Sequence, residues 1–91
     1  MIVLDIVIVS MGFSPDDSEV SGQVKVSLKD AGRLRSLTLE CRCATSQRVR
    51  PDALLIGEAI QQLRRNPRVR SGEVRLEFAK GLKPIETARA A

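Results

Sequence analysis

The most constraining feature of the sequence is an apolar run over residues 1–9, MIVLDIVIV. The run is short, aliphatic and rich in β-branched residues, which favours a strand over a helix. Side chains alternate between the two faces of a strand, and here both faces are apolar except at Asp5. Such a pattern is typical of a strand that is covered on both sides. We therefore predict that this strand lies in the middle of a sheet.

Two further segments, residues 19–29 and residues 33–43, alternate apolar with polar side chains. This alternation is typical of antiparallel strands with one exposed face. Residues 11–18 contain a Ser-Pro-Asp-Asp cluster and predict a turn before the first of them. The Asp-Ala-Gly sequence at residues 30–32 predicts a hairpin with glycine at the position of positive φ.

A helix is predicted to begin at Pro51, because proline is well suited to the first helical position. Apolar residues then recur at helical spacing as far as Leu63, and Asn66 and Pro67 are predicted to end the helix. Residues 72–80 alternate once more and predict a fourth strand.

Four residues depart from these patterns. Gly22 falls on an apolar strand face, which indicates a bulge or a close approach by another element. Leu34 is out of phase with the apolar residues that follow it, so a bulge or the start of the strand is expected there. In the helix, Leu54 is predicted to point toward the polar side, and Gly57 costs about 1 kcal/mol relative to alanine.

The element order β-β-β-α-β predicts an α+β fold with a small four-stranded mixed sheet and one helix packed on one face. Pairing of sequential strands and a right-handed crossover give the strand order 3-2-1-4. Residues 1–80 are predicted to form this single domain. Residues 81–91 have no core pattern and are predicted to be a loosely ordered C-terminal tail.

One helix covers only one face of such a sheet, so the second apolar face of the first strand needs another cover. Burying a valine contributes on the order of 1.5 kcal/mol or more, which makes an uncovered row of them costly. Two covers are open: a homodimer or protein partner through this face or the sheet edge, or the tail with Leu82 and Ile85 folded back. The candidate oligomer interface consists of Val3, Asp5, Val7, Val9 and Leu54.

The sequence offers no catalytic constellation. Its 91 residues include no histidine, which removes the commonest general base and metal ligand. Cys41 and Cys43 cannot complete a structural zinc site alone, and both fall on an apolar strand face where buried thiols are expected. Asp5 is either a functional carboxylate within an apolar strand or a side chain that faces solvent or an arginine. No catalytic residue, cofactor or metal is predicted.

Positive charge is concentrated in the second part of the chain. The formal net charge is +4, and all but two of the 15 lysines and arginines follow residue 32. A basic surface is compatible with an anionic partner, although an arginine-rich face is more often simply solvated. Two phenylalanines are the only aromatic residues for stacking on bases. The candidate anion or nucleic-acid contacts, which flank the helix, are Arg48, Arg50, Arg64, Arg65, Arg68 and Arg70.

The sequence therefore predicts a small non-catalytic interaction or structural protein that acts as a homo-oligomer or accessory subunit. The alternative is a nucleic-acid-associated protein that uses the arginines around the helix ends. No secretion signal or apolar run long enough to span a membrane is recognised, so a cytoplasmic location without membrane contact is expected.

Overall fold

The computed structural model describes residues 1–79. Three long strands form an antiparallel meander: β1 (Ile2–Phe13), β2 (Glu19–Asp30) and β3 (Arg33–Ala44). Helix α1 (Pro51–Arg64), the short helix α2 (Pro67–Arg70) and strand β4 (Glu77–Phe78) follow. The sheet has the order β3-β2-β1-β4, with β4 parallel to β1. The predicted α+β fold and strand order are confirmed, and the predicted tail, residues 81–91, lies outside the described residues.

The core lies between the sheet and α1, which packs chiefly over β2 and β3. Pro51 occupies the first turn of α1, as its fixed φ and missing N–H favour. The buried face of β2 carries the alternating apolar residues expected of it, and α1 contributes a stripe at helical spacing. The fully or nearly fully buried core side chains include Val20, Val24, Val26, Leu28, Leu55, Ala59 and Leu63.

Strand β1 departs from simple alternation at two β-bulges. Its register with β2 shifts between Val3 and Asp5 and again between Ile8 and Ser10. The extra β1 residues at these two bulges are Leu4 and Val9. A shift of one residue moves every later side chain to the other face. The prediction placed Val3 on the same face of β1 as Val7 and Val9, and this is wrong. Val3 is completely buried on the helix side, together with partly buried Ile6 and Ile8.

Of the two alternatives predicted for Leu34, a bulge or the start of the strand, the structure has the second: β3 begins at Arg33, and it pairs with β2 without interruption from Glu19–Ala44 to Asp30–Arg33. Leu34 simply points to the uncovered face of the sheet and is 75% exposed. The hairpin after β2 has two residues at positive φ, Ala31 at 52° and Gly32 at 78°. This pair is typical of the tight turn whose twist matches that of the two strands it joins.

Strand β4 is much shorter than the predicted segment, and it pairs only with Ile2 and Val3. Residues 71–74 form turns and bends instead of strand. The backbone N–H of Val74 donates to Arg68 O at 3.0 Å, which ties this segment to α2. Within residues 1–79, no strand pairs with the outer edge of β1 beyond Val3.

Candidate interaction surface

Exposed apolar side chains are concentrated on one strand. Six large apolar side chains are exposed in the described part of the chain, and the one outside β1 is Leu34. The other five have exposed fractions between 39% and 56%. These five, which we call the β1 surface, are Leu4, Val7, Val9, Met11 and Phe13. A concentration of exposed apolar residues on one strand is a candidate interaction site of a small domain.

The β1 surface wraps around the strand. Val7 lies opposite Lys25 and shares the uncovered face of the sheet with it. Met11 and Phe13 lie opposite Gly22 and the buried Val20, so their side chains are on the helix side. They remain about half exposed because α1 packs mainly over β2 and β3.

Within residues 1–79, the outer backbone edge of β1 has no strand partner beyond Val3. The carbonyl oxygens of Met1 and Val3 accept N–H groups of Glu77 and Ala79, so the polar groups of Val3 point away from β2. N–H and C=O groups alternate in direction along a strand, and each bulge adds one residue that faces the partner strand. The alternation of β2 is regular, since its pairing with β3 is unbroken. The residues of β1 whose backbone groups point outward past Val3 are then Ile6, Ile8, Met11 and Phe13.

The structure does not bring together the five predicted interface residues. Val3 belongs to the core. Leu54 is half-buried against the core on α1, and its carbonyl oxygen accepts a hydrogen bond from Cys43 Sγ at 3.3 Å. Asp5, Val7 and Val9 are exposed on β1, as predicted, and Asp5 Oδ1 accepts the N–H of Ile6 at 3.0 Å. Asp5 is thus a solvent-facing carboxylate rather than a buried one.

Met11 and Phe13 were missed at the level of sequence. The Ser-Pro-Asp-Asp cluster marks the turn correctly, since Asp16 Oδ1 accepts the hydroxyl groups of Ser14 and Ser18. Strand β1 nevertheless continues to Phe13, past the predicted turn boundary at residue 11. The sequence did contain a signal for them. Met11 and Phe13 alternate with Gly12, which continues the strand pattern as far as residue 13.

The six predicted anion contacts fall into two groups at opposite ends of α1. This helix has 14 residues and so a length of about 21 Å at 1.5 Å per residue. Arg48 and Arg50 precede it, whereas the other four follow one another at its end and on α2. The structure therefore does not gather them into one cluster.

Half of these arginines are engaged in ion pairs. Arg50 pairs with Asp52. At the other end, Arg65 Nη1 lies 3.3 Å from Glu58 Oε1. Arg68 Nη1 lies 3.3 Å from Asp30 Oδ2, whose side chain is nearly buried at the hairpin end of the sheet. Each pair offsets positive charge that a nucleic-acid contact would need.

The two cysteines lie on the helix side of β3, as predicted. Cys41 is buried in the core, and burial raises the pKa of its thiol to about 11. Burial also raises the pKa of the half-buried Cys43 thiol. Because the thiolate is the nucleophile and the metal ligand, both groups are in their unreactive form near neutral pH. In residues 1–79, no group of three or more His, Cys, Asp or Glu side chains lies close enough to hold a metal ion.

Comparisons with known proteins returned no relative. No protein-family model matches the chain, and no curated protein and no solved structure is significantly similar to it. Among the described residues, no helix is both long and apolar enough to cross a membrane.

Proposed function

We propose that this protein is a small non-catalytic association domain that works as a homo-oligomer or accessory subunit through β1. The observation that carries the proposal is the concentration of exposed apolar side chains on β1, which holds five of the six large ones within residues 1–79. Burying them in an interface removes apolar area from water, which is the main driving force of association.

The chemistry of β1 favours a second copy of the same chain as partner. Residues 6–13 have no charged side chain, so two such strands can approach without opposing like charges. Exposed strand edges are commonly protected by lysine, proline or an inward-pointing charge. Residues 6–13 contain none of these, and the feature of this stretch that limits edge pairing is the bulge between Ile8 and Ser10.

Sedimentation velocity over a range of concentrations tests the proposal, with Val7→Glu as the decisive variant. Lys25 of β2 is paired with Val7 of β1 and with Thr38 of β3. A glutamate at residue 7 or at residue 38 would therefore lie next to the same lysine. Thr38→Glu is therefore a matched control for the effect on folding. We expect the wild type and Thr38→Glu to associate alike, and Val7→Glu to raise the dissociation constant about tenfold or more.

Two results would overturn the proposal. One is a wild-type protein that stays monomeric at every concentration and retains no partner subunit in native mass spectrometry. The other is association that Val7→Glu and Thr38→Glu weaken equally, because the site of association would then lie away from β1. Circular dichroism of each variant verifies that the fold is kept.

The second candidate function is association with nucleic acid, favoured by the arginines near the end of α1. Arg64 and Arg70 are exposed there and form no ion pair within residues 1–79, beside the paired Arg65 and Arg68. Binding of this kind falls steeply with salt, because phosphate contacts release counterions. Fluorescence anisotropy with a labelled oligonucleotide at two salt concentrations separates the candidates. Flat curves at low salt eliminate nucleic acid, and salt-dependent binding that Arg64→Ala with Arg70→Ala abolishes supports it.

A further inference from the structure

The outward backbone groups of β1 have a symmetry of their own. They belong to Ile6, Ile8, Met11 and Phe13, which are spaced evenly about the point between Val9 and Ser10. The second bulge produces this arrangement. Ile8 and Met11, which lie on either side of it, are three positions apart, whereas neighbouring outward residues of a regular strand are two positions apart. A strand without the bulge would present outward groups at a uniform spacing and would select no single centre.

A two-fold axis through this centre makes β1 complementary to its own copy. An axis perpendicular to the sheet pairs the strands antiparallel and places Ile6 opposite the partner's Phe13 and Ile8 opposite the partner's Met11. In both pairs outward groups face outward groups, which is what an antiparallel ladder needs. A two-fold axis along the strands would instead make a parallel pair in which each N–H faces the N–H of the same residue in the other copy. Two donors cannot form a hydrogen bond, so the antiparallel arrangement is the one that can pair.

The side chains in these pairs are compatible with the arrangement. All four are apolar and lie on the helix side, where Met11 and Phe13 are about half exposed. The perpendicular axis puts both α1 helices on the same face of the joined sheet, with these side chains between them. Strand β4 pairs with Ile2 and Val3, and no residue of the described range 1–79 pairs with this edge over residues 6–13.

We infer that two copies of this chain join edge to edge through antiparallel β1 strands, centred between Val9 and Ser10, into one continuous sheet. The inference rests on the proposed function and adds the geometry of the contact. It follows the isologous rule of a two-fold dimer, in which a contact between two residues occurs twice.

Isotope-filtered NMR on a mixture of ¹³C-labelled and unlabelled full-length chains tests the register. We expect intermolecular contacts between the Phe13 ring and the Ile6 methyl groups. Within one chain these residues are seven positions apart, or about 23 Å along the strand at roughly 3.3 Å per residue, so an intramolecular contact cannot produce the same signal. Amide exchange at Ile6 and Ile8 should slow as concentration rises, whereas exchange at Ser36 on the open edge of β3 should stay unchanged.

A pair of variants provides an independent test. Phe13 and Leu34 are both exposed apolar residues, on β1 and β3, and only Phe13 is in the proposed pairing. Phe13→Glu should raise the dissociation constant at least about tenfold, and Leu34→Glu should leave it unchanged.

The outcomes separate this inference from the proposed function. A dimer whose intermolecular contacts join Val7 to Val7 across the uncovered faces, without protection of the Ile6 amide, refutes the edge pairing and leaves the function in place. Contacts from residues 80–91 of the same chain to Ile6 also refute it, because the edge would then be occupied within one molecule. A monomer at all concentrations refutes both.

Discussion

Leu55 of α1 packs directly against Gly22 of β2, at the point where β1 forms its second bulge. A Cβ atom added at Gly22 would lie 3.0 Å from Leu55 Cδ1 and only 2.1 Å from the backbone oxygen of Ser10. Helix, sheet and bulge therefore meet at a position with room for a hydrogen atom alone. The glycine that interrupts the apolar face of β2 is thus a packing requirement, as a close approach by another element predicted.

Substitution of Gly22 by alanine is expected to destabilise the protein by about 3 kcal/mol, the upper end for overpacking a core. The closest atom belongs to the backbone and cannot move aside as a side chain can. Urea unfolding followed by circular dichroism measures the change. Gly12→Ala is the matched control, since a Cβ there meets no atom within 4 Å, and it should alter stability by less than about 1 kcal/mol.

Gly57→Ala is expected to have the opposite sign. Gly57 is inside α1, and an added Cβ would meet no atom within 4 Å outside the helix's own backbone. Alanine is more favourable than glycine in a helix interior by about 0.8–1.0 kcal/mol, mainly because it restricts the unfolded chain. Thermal unfolding should therefore show a higher melting temperature for the variant, and a lower one would mean that Gly57 has a packing role not visible in its surroundings.

The order of the strands was predictable because it depends on local signals. Alternation located β2 and β3, and proline located the start of α1. The preference for pairing of sequential strands and for right-handed crossovers then gave the strand order. The faces of β1 were not predictable in the same way. Leu4 and Val9 are ordinary strand residues, and the second bulge lies against the space that Gly22 leaves on another strand. Its position depends on a tertiary contact that no local pattern encodes.

The candidate surface was predictable only in part, for the same reason. Val7 and Val9 were recognised from the composition of the first strand, but the misplaced phase put Val3 beside them. The six arginines flank α1 in the structure as they do in the sequence, and the length of the helix keeps the two groups apart. Strand β4 begins later than the alternation of residues 72–80 predicts, and the preceding segment is tied to α2 by a hydrogen bond from the Val74 N–H to Arg68 O.

Ala31→Asn is expected to stabilise the β2–β3 hairpin. Ala31 has a φ of 52°, a conformation that asparagine adopts more readily than alanine, and Gly32 already follows it at 78°. The Asn-Gly pair is the preferred sequence for this two-residue turn, and we expect a gain of about 0.5–1 kcal/mol. Chemical denaturation measures it, and Ala31→Val should lower stability because a β-branched residue is strained at positive φ.

Asp16 should titrate at unusually low pH. Its carboxylate accepts hydrogen bonds from the hydroxyl groups of Ser18 and Ser14, and these lower its pKa from 3.8 to about 2. A lowered pKa means that the contribution of the charged form to stability is complete above pH 3.8 and is lost as the pH falls through about 2. A carbon-detected NMR titration reads the midpoint directly. Ser18→Ala should move it back toward 3.8, and an unmoved midpoint would exclude the hydroxyl as the main cause.

The Cys41 thiol is expected to resist alkylation and to make stability decrease at alkaline pH. Burial raises its pKa from 9.0 to about 11, so the folded state holds its proton where the unfolded chain has already lost it. Its contribution is therefore complete below pH 9 and is lost progressively as the pH rises from 9 through 11. Mass spectrometry after treatment with iodoacetamide at pH 8 should find Cys41 unmodified in the folded protein and modified in denaturant. Because burial also raises the pKa of the Cys43 thiol, the alkaline loss of stability due to Cys41 is measured as the difference between the wild type and Cys41→Ala. Rapid alkylation of the folded protein, or equal slopes for the two chains, would contradict the prediction.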